Sequence, residues 1–75
     1  MPRLPRVTAR EARRAIIRDG WRLARTRGSH EQYEHPTKPG LVTIPAHAGE
    51  TVTPKTIKSI IVQAGLTIDQ FIGLL

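Results

Sequence analysis

Apolar and polar positions fall into six runs whose spacing predicts a helix, three strands and two more helices in that order. Thr8-Ala9-Arg10-Glu11 has the form of a capping box, in which the threonine hydroxyl accepts from the Glu11 N–H and the glutamate reaches back to the Thr8 N–H. From there Ala9, Ala12 and Ile16 share one helical face, while Arg10, Arg14 and Arg18 line another and Arg13 falls at the border, its stem over the core edge. Gly20 supplies a left-handed stop, so the helix is expected from Thr8 to Asp19.

Trp21 to Thr26 then alternates with period two, which predicts a strand with Trp21 and Leu23 facing inward. Glu31–His35 is a second strand, closed by the turn Pro36-Thr37-Lys38-Pro39-Gly40, and Leu41–Ile44 a third, ended by Pro45. With Tyr33 packed inward, His30, Gln32 and Glu34 point the other way. Thr53-Pro54 starts a helix with Val52 and Ile57 as its staple, Ile57, Ile60, Ile61 and Ala64 as its apolar face, and Gly65 as its stop. Thr67-Ile68-Asp69-Gln70 repeats the capping box for a short last helix, stapled by Leu66 and Phe71. The expectation is one α+β domain over residues 1–75, ordered α-β-β-β-α with a three-stranded antiparallel sheet and a short C-terminal helix.

Charge changes this picture from a fold to a surface. Residues 1–28 carry nine arginines against Glu11 and Asp19, whereas residues 29–75 carry three lysines against four acids. All the excess positive charge lies in residues 1–28, which include the first helix, the first strand and the turn leading to His30, as expected of a surface that follows a polyanion. A chain of 75 residues has room for a thin core and no large pocket. It has no cysteine, and the three histidines lack helical or finger spacing, so no metal or other cofactor is expected. No run approaches a membrane span and the N-terminus lacks an apolar leader core, so the protein is expected to be cytoplasmic.

Gly28-Ser29-His30-Glu31-Gln32-Tyr33 places one imidazole after a glycine, between two strands, in a basic surface. Together with Ile44-Pro45-Ala46-His47 and Thr56-Ile57-Lys58-Ser59-Ile60-Ile61-Val62-Gln63-Ala64-Gly65-Leu66, this motif resembles, in order and spacing, the HicA-type (YcfA-like) toxins of type II toxin–antitoxin pairs. The resemblance covers nearly the whole chain. It implies a fold like the double-stranded-RNA-binding domain, cleavage of messenger RNA by His30, and neutralisation by a HicB-type antitoxin. The family usually has glycine before the threonine of the second-helix motif, where this chain has Lys55.

An imidazole suits RNA cleavage, since it titrates near pH 6.5 and can take the proton of a 2′-OH that then attacks phosphorus without metal. Gly28 allows close backbone approach and Ser29 can donate to a phosphate oxygen. Candidate cations for the developing charge are Arg25, Arg27, Lys38, Lys55 and Lys58. His47, Tyr33 and His35 are candidates to protonate the leaving oxygen, with water as the alternative. Trp21, Tyr33 and Phe71 read as core rather than as a base-stacking platform. Two other functions fit the same residues: a non-catalytic module that binds duplex RNA, and a regulator whose arginine stripe docks an acidic protein.

Overall fold

The computed structural model describes residues 3–75. Helix α1 (Ala9–Arg18) starts at the Thr8 capping box, with the Glu11 N–H on the Thr8 hydroxyl and the Thr8 N–H on the Glu11 carboxylate. Its other free N-terminal donors are met from the loop after the sheet, where the Ala9 and Arg10 N–H groups bond the Glu50 and Ala48 carbonyls, both at 3.0 Å. The helix ends on Gly20, whose φ is 104°. The Gly20 N–H bonds the Ile17 carbonyl and the Trp21 N–H the Ile16 carbonyl, the paired bonds of a Schellman motif.

Strands β1 (Arg22–Arg27), β2 (His30–Glu34) and β3 (Val42–Pro45) form an antiparallel sheet in that spatial order. Each boundary lies one residue from its expected place, and Pro45 is the last residue of an edge strand rather than the residue after it. Helix α2 (Pro54–Gln63) has Thr53 as its cap and Pro54 at its first position. Gly65 at φ 68° closes it with the same pair of bonds that ends α1, from the Gly65 N–H to Val62 and the Leu66 N–H to Ile61. Helix α3 (Ile68–Leu74) starts at the Thr67–Gln70 capping box. Lys55, where the resemblance anticipated glycine upstream, is an exposed residue of the first turn of α2.

The core lies between the helices and one face of the sheet. Ala12, Ala15 and Ile16 of α1, Val42 and Ile44 of β3, Ile57 and Ile60 of α2, and Phe71 of α3 are fully buried, with Trp21 and Tyr33 completing the layer. Burying the larger of these side chains supplies about 1.5–3 kcal/mol each. Arg13 sits at the edge as expected, its guanidinium 3.4 Å from the Glu31 carboxylate.

Leu23 departs from its expected inward burial. It pairs with the buried Tyr33, so it is on the helix side of the sheet, yet it is 51% exposed. Both α1 and α2 pack over β3, the far edge, so β1 lies beyond their cover and all six of its residues are exposed.

Candidate active site

The Gly28-Ser29-His30 motif forms the tip of the β1–β2 hairpin. Arg27 and His30 are cross-strand partners, leaving Gly28 and Ser29 as a two-residue turn. Gly28 has φ 54° and Ser29 does not have positive φ, the combination of a type II′ turn, which demands glycine at its first central position. A Cβ on Gly28 would meet nothing within 4 Å, so backbone conformation rather than crowding selects glycine there. The Ser29 carbonyl accepts from the Ala46 N–H at 2.6 Å, which ties the tip to the end of β3.

His30 is therefore the first residue of the central strand, with Arg27 on one side and Pro45 on the other. It is exposed, and among the described residues its ring has no hydrogen-bond partner and no ion pair. Direct cross-strand neighbours put their Cβ atoms about 5 Å apart on a common face. The open face thus carries three rungs: Arg27–His30–Pro45, then Arg25–Gln32–Thr43, then Arg22–Glu34.

Three arginines share this face because β1 contains a bulge. The register shifts between Leu23 and Arg25, with Ala24 as the extra residue. In a regular strand Arg22 and Arg25 would point to opposite faces. Sequence reading missed this: Arg22 was not singled out, and an irregular ladder leaves no mark in a period-two pattern. The Arg25 Nε donates to the Gln32 Oε1, and Arg22 lies 3.6 Å from Glu34. The Arg27 guanidinium, beside His30, makes no hydrogen bond or ion pair to another described residue.

The other candidates separate into three places. His47 is exposed in the loop after β3, whose shape is fixed by the Glu50 N–H on its carbonyl at 3.0 Å and by the bonds to α1. With Pro45, the cross-strand neighbour of His30, and with Glu50, Thr53 and Thr56, it lines a small cavity of about 150 Å³ that lies between the end of β3 and the start of α2. Lys58 is exposed one turn further on, beside Ser59 and Val62.

Tyr33 is on the opposite face of the sheet from His30. It is 2% exposed, and its hydroxyl donates to the Glu31 carboxylate at 2.9 Å. Burial first, then this bond and the nearby carboxylate charge, push the phenol up to about 12, against a smaller opposing effect of Arg13.

His35 and Lys38 belong to the far end of β2. His35 Nδ1 accepts from the Thr37 and Lys38 N–H groups, both at 3.1 Å, which assigns the ring proton to Nε2, where it is donated to the Asp19 carbonyl at 2.8 Å. The ring also meets Trp21 edge-on. The Lys38 ammonium lies 2.5 Å from the Asp19 carboxylate and 3.0 Å from the Ala64 carbonyl, joining the C-terminal ends of α1 and α2. Both side chains are occupied in holding the fold.

Among the described residues, no three histidine or acidic side chains converge as metal ligands, and no single helix is long and apolar enough to cross a membrane. No curated protein matches the chain. Residues 9–66, from the first residue of α1 through the hairpin to the close of α2, match the family described as the HicA toxin of bacterial toxin–antitoxin systems. That match takes in the hairpin tip, the β3 end and the second helix together, and the chain belongs to the HicA toxin family.

Proposed function

We propose that this toxin is a metal-independent endoribonuclease acting on messenger RNA, with His30 as its general base. Membership of the family makes it the toxin of a toxin–antitoxin pair and implies an antitoxin partner. One observation carries the catalytic reading: His30 stands exposed and unbonded on the central strand, directly beside the unpaired guanidinium of Arg27.

The reaction follows from that arrangement. A ring nitrogen of His30 takes the proton of a ribose 2′-OH, the oxygen attacks the adjacent phosphorus, and the bond to the 5′-oxygen breaks. The products are a 2′,3′-cyclic phosphate and a 5′-hydroxyl, whose proton comes from His47 or from water. Arg27, and Arg25 one rung away, neutralise charge on the phosphorane oxygens, while Ser29 donates to a phosphate oxygen at the turn. Lys55 and Lys58 bind RNA backbone beyond the scissile phosphate. Lys38 and Tyr33 have no such role in this scheme, because their polar groups are committed to Asp19 and Ala64 and to Glu31.

Incubation of antitoxin-free protein with labelled RNA and matched DNA in excess chelator tests the proposal. RNA-only cleavage with cyclic-phosphate ends, lost in His30→Ala, is expected. Undiminished cleavage by His30→Ala would overturn it. Binding without cleavage by the wild type would favour the duplex-RNA module.

A further inference from the structure

The outer edge of β1 is the open side of this fold. On the opposite edge, the Thr43 N–H of β3 is met by the Gln63 side chain of α2 at 3.0 Å. Along β1, among the described residues, the only backbone pairing is with β2. In a hairpin closed by a two-residue turn, Arg27 and His30 exchange both backbone bonds, so the N–H and C=O of the next residue, Thr26, point away from the sheet. The two faces of this edge differ: Arg25 and Arg27 lie on the open face, and the half-exposed Leu23 on the helix side.

We propose that an extended segment of the antitoxin adds to β1 as a fourth, outer strand. Its alternate side chains are carboxylates beside Arg25 and Arg27 and an apolar residue over Leu23. Main-chain bonds to the Thr26 edge give the pairing, and the alternation gives its register. A second copy of the toxin is the wrong occupant, since edge-to-edge pairing would set arginine rows against each other, and like charges directly opposite are destabilising. The same arginines, with the bulge at Ala24, keep the free edge from self-pairing. This inference rests on the assignment of the His30 face to RNA: a carboxylate on Arg27 removes the cation that His30 needs and blocks the approach of phosphate.

Amide exchange measured by NMR on the full chain, free and in complex with its antitoxin, reads the edge directly. The Thr26 amide is expected to exchange at least tenfold more slowly in the complex, with affinity falling as salt is raised. Thr26→Pro removes the outward donor while leaving the ladder to β2 intact. It is expected to cleave RNA like the wild type and to bind antitoxin at least tenfold more weakly. An unchanged Thr26 exchange rate in a complex that still silences the toxin would overturn the docking mode, as would protection that grows with toxin concentration alone. If Thr26→Pro does not fold, the exchange rates decide. Failure of the wild type to cut RNA would instead remove the catalytic reading, and the exchange rates would stand apart from it.

Discussion

The His35 ring occupies the space that a side chain on Gly20 would need: a Cβ built there would lie 2.7 Å from the ring Nε2. Gly20 also has φ 104°, a backbone state that L residues avoid. The close of α1 and the exit from β2 are thus pressed together, with the Asp19 carbonyl bonded to the same ring nitrogen. Gly20→Ala carries both strain and overlap and is expected to cost about 1–3 kcal/mol. In a domain of this size that lowers the melting temperature by on the order of 10 °C. A thermal melt followed by circular dichroism checks it. RNA cleavage measured well below the melting point should be retained, because His30 is at the other end of β2.

Lys38→Met separates a fold-holding lysine from an RNA-binding one. The ammonium joins Asp19 to Ala64 with its side chain 31% exposed, so its two charge-assisted bonds are partly screened. Their loss is expected to cost about 1–2 kcal/mol, since methionine keeps the stem but leaves the carboxylate without its cation, held only by the Trp21 indole N–H. Urea unfolding should show that cost while RNA affinity, measured by fluorescence anisotropy, stays within twofold. A large loss of affinity at unchanged stability would return Lys38 to the RNA surface.

The helices were legible because their signals are local. Thr8 with Glu11, Thr67 with Gln70, Thr53 with Pro54, and the stop glycines Gly20 and Gly65 each act within one turn of chain, and each forms the cap its spacing predicts. The sheet was legible in order but not in detail. Leu23 obeys the pleat, lying on the face of Tyr33, but its burial depends on whether a helix reaches β1, which period two does not encode. The structural roles of His35 and Lys38 were hidden for a related reason: their partners Asp19 and Ala64 are 16 and 26 residues away in sequence. The accessibility of His30 was readable from the alternation with Tyr33, whereas its pairing with Arg27, at strand ends expected to stop at Thr26 and start at Glu31, and the third arginine of that face were not.

Deleting Ala24 tests the account of the bulge. Without it, Arg22, Leu23, Arg25, Thr26 and Arg27 alternate regularly and keep their present partners on β2. The shortened chain is expected to fold and to cleave RNA at a rate within a few-fold of the full chain, with strand-pair contacts between Arg27 and His30 retained in NMR spectra. Loss of cleavage in a folded deletion variant would mean that the bulge itself shapes the site.

Tyr33 sets an alkaline limit on stability. The phenol pKa, ordinarily 10.0, is pushed up to about 12 in the fold, so the folded chain holds its proton where the unfolded chain releases it. The Tyr33 contribution is complete below pH 10 and is lost as the pH rises through about 12. Urea unfolding across that window should show stability falling more steeply for the wild type than for Tyr33→Phe. Every other group is common to the two proteins, so the difference between the two curves isolates the tyrosine. Parallel curves would mean that burial and the bond to Glu31 do not hold the phenol proton in the folded chain.

The arginine rungs make a quantitative claim about salt. Each phosphate neutralised on single-stranded RNA releases counterions, so log K falls with log salt by about 0.7 for every contact. Among the described residues the Arg27 guanidinium has no partner, while that of Arg25 is held one rung away by Gln32, and the proposed mechanism assigns a phosphate to each. Arg27→Gln and Arg25→Gln are each expected to reduce the slope by about 0.7, and the double variant by about 1.4. Because Arg27 is the cross-strand partner of His30 and Arg25 is one rung away, the proposed mechanism expects Arg27→Gln also to lower single-turnover cleavage at saturating RNA by about 10²-fold or more, the scale for losing one charge-stabilising donor. Arg25→Gln should act mainly on binding. Anisotropy titrations between 50 and 200 mM salt, beside single-turnover cleavage, distinguish the two; equal effects of both variants on the cleavage step would show that the rung opposite His30 has no special place.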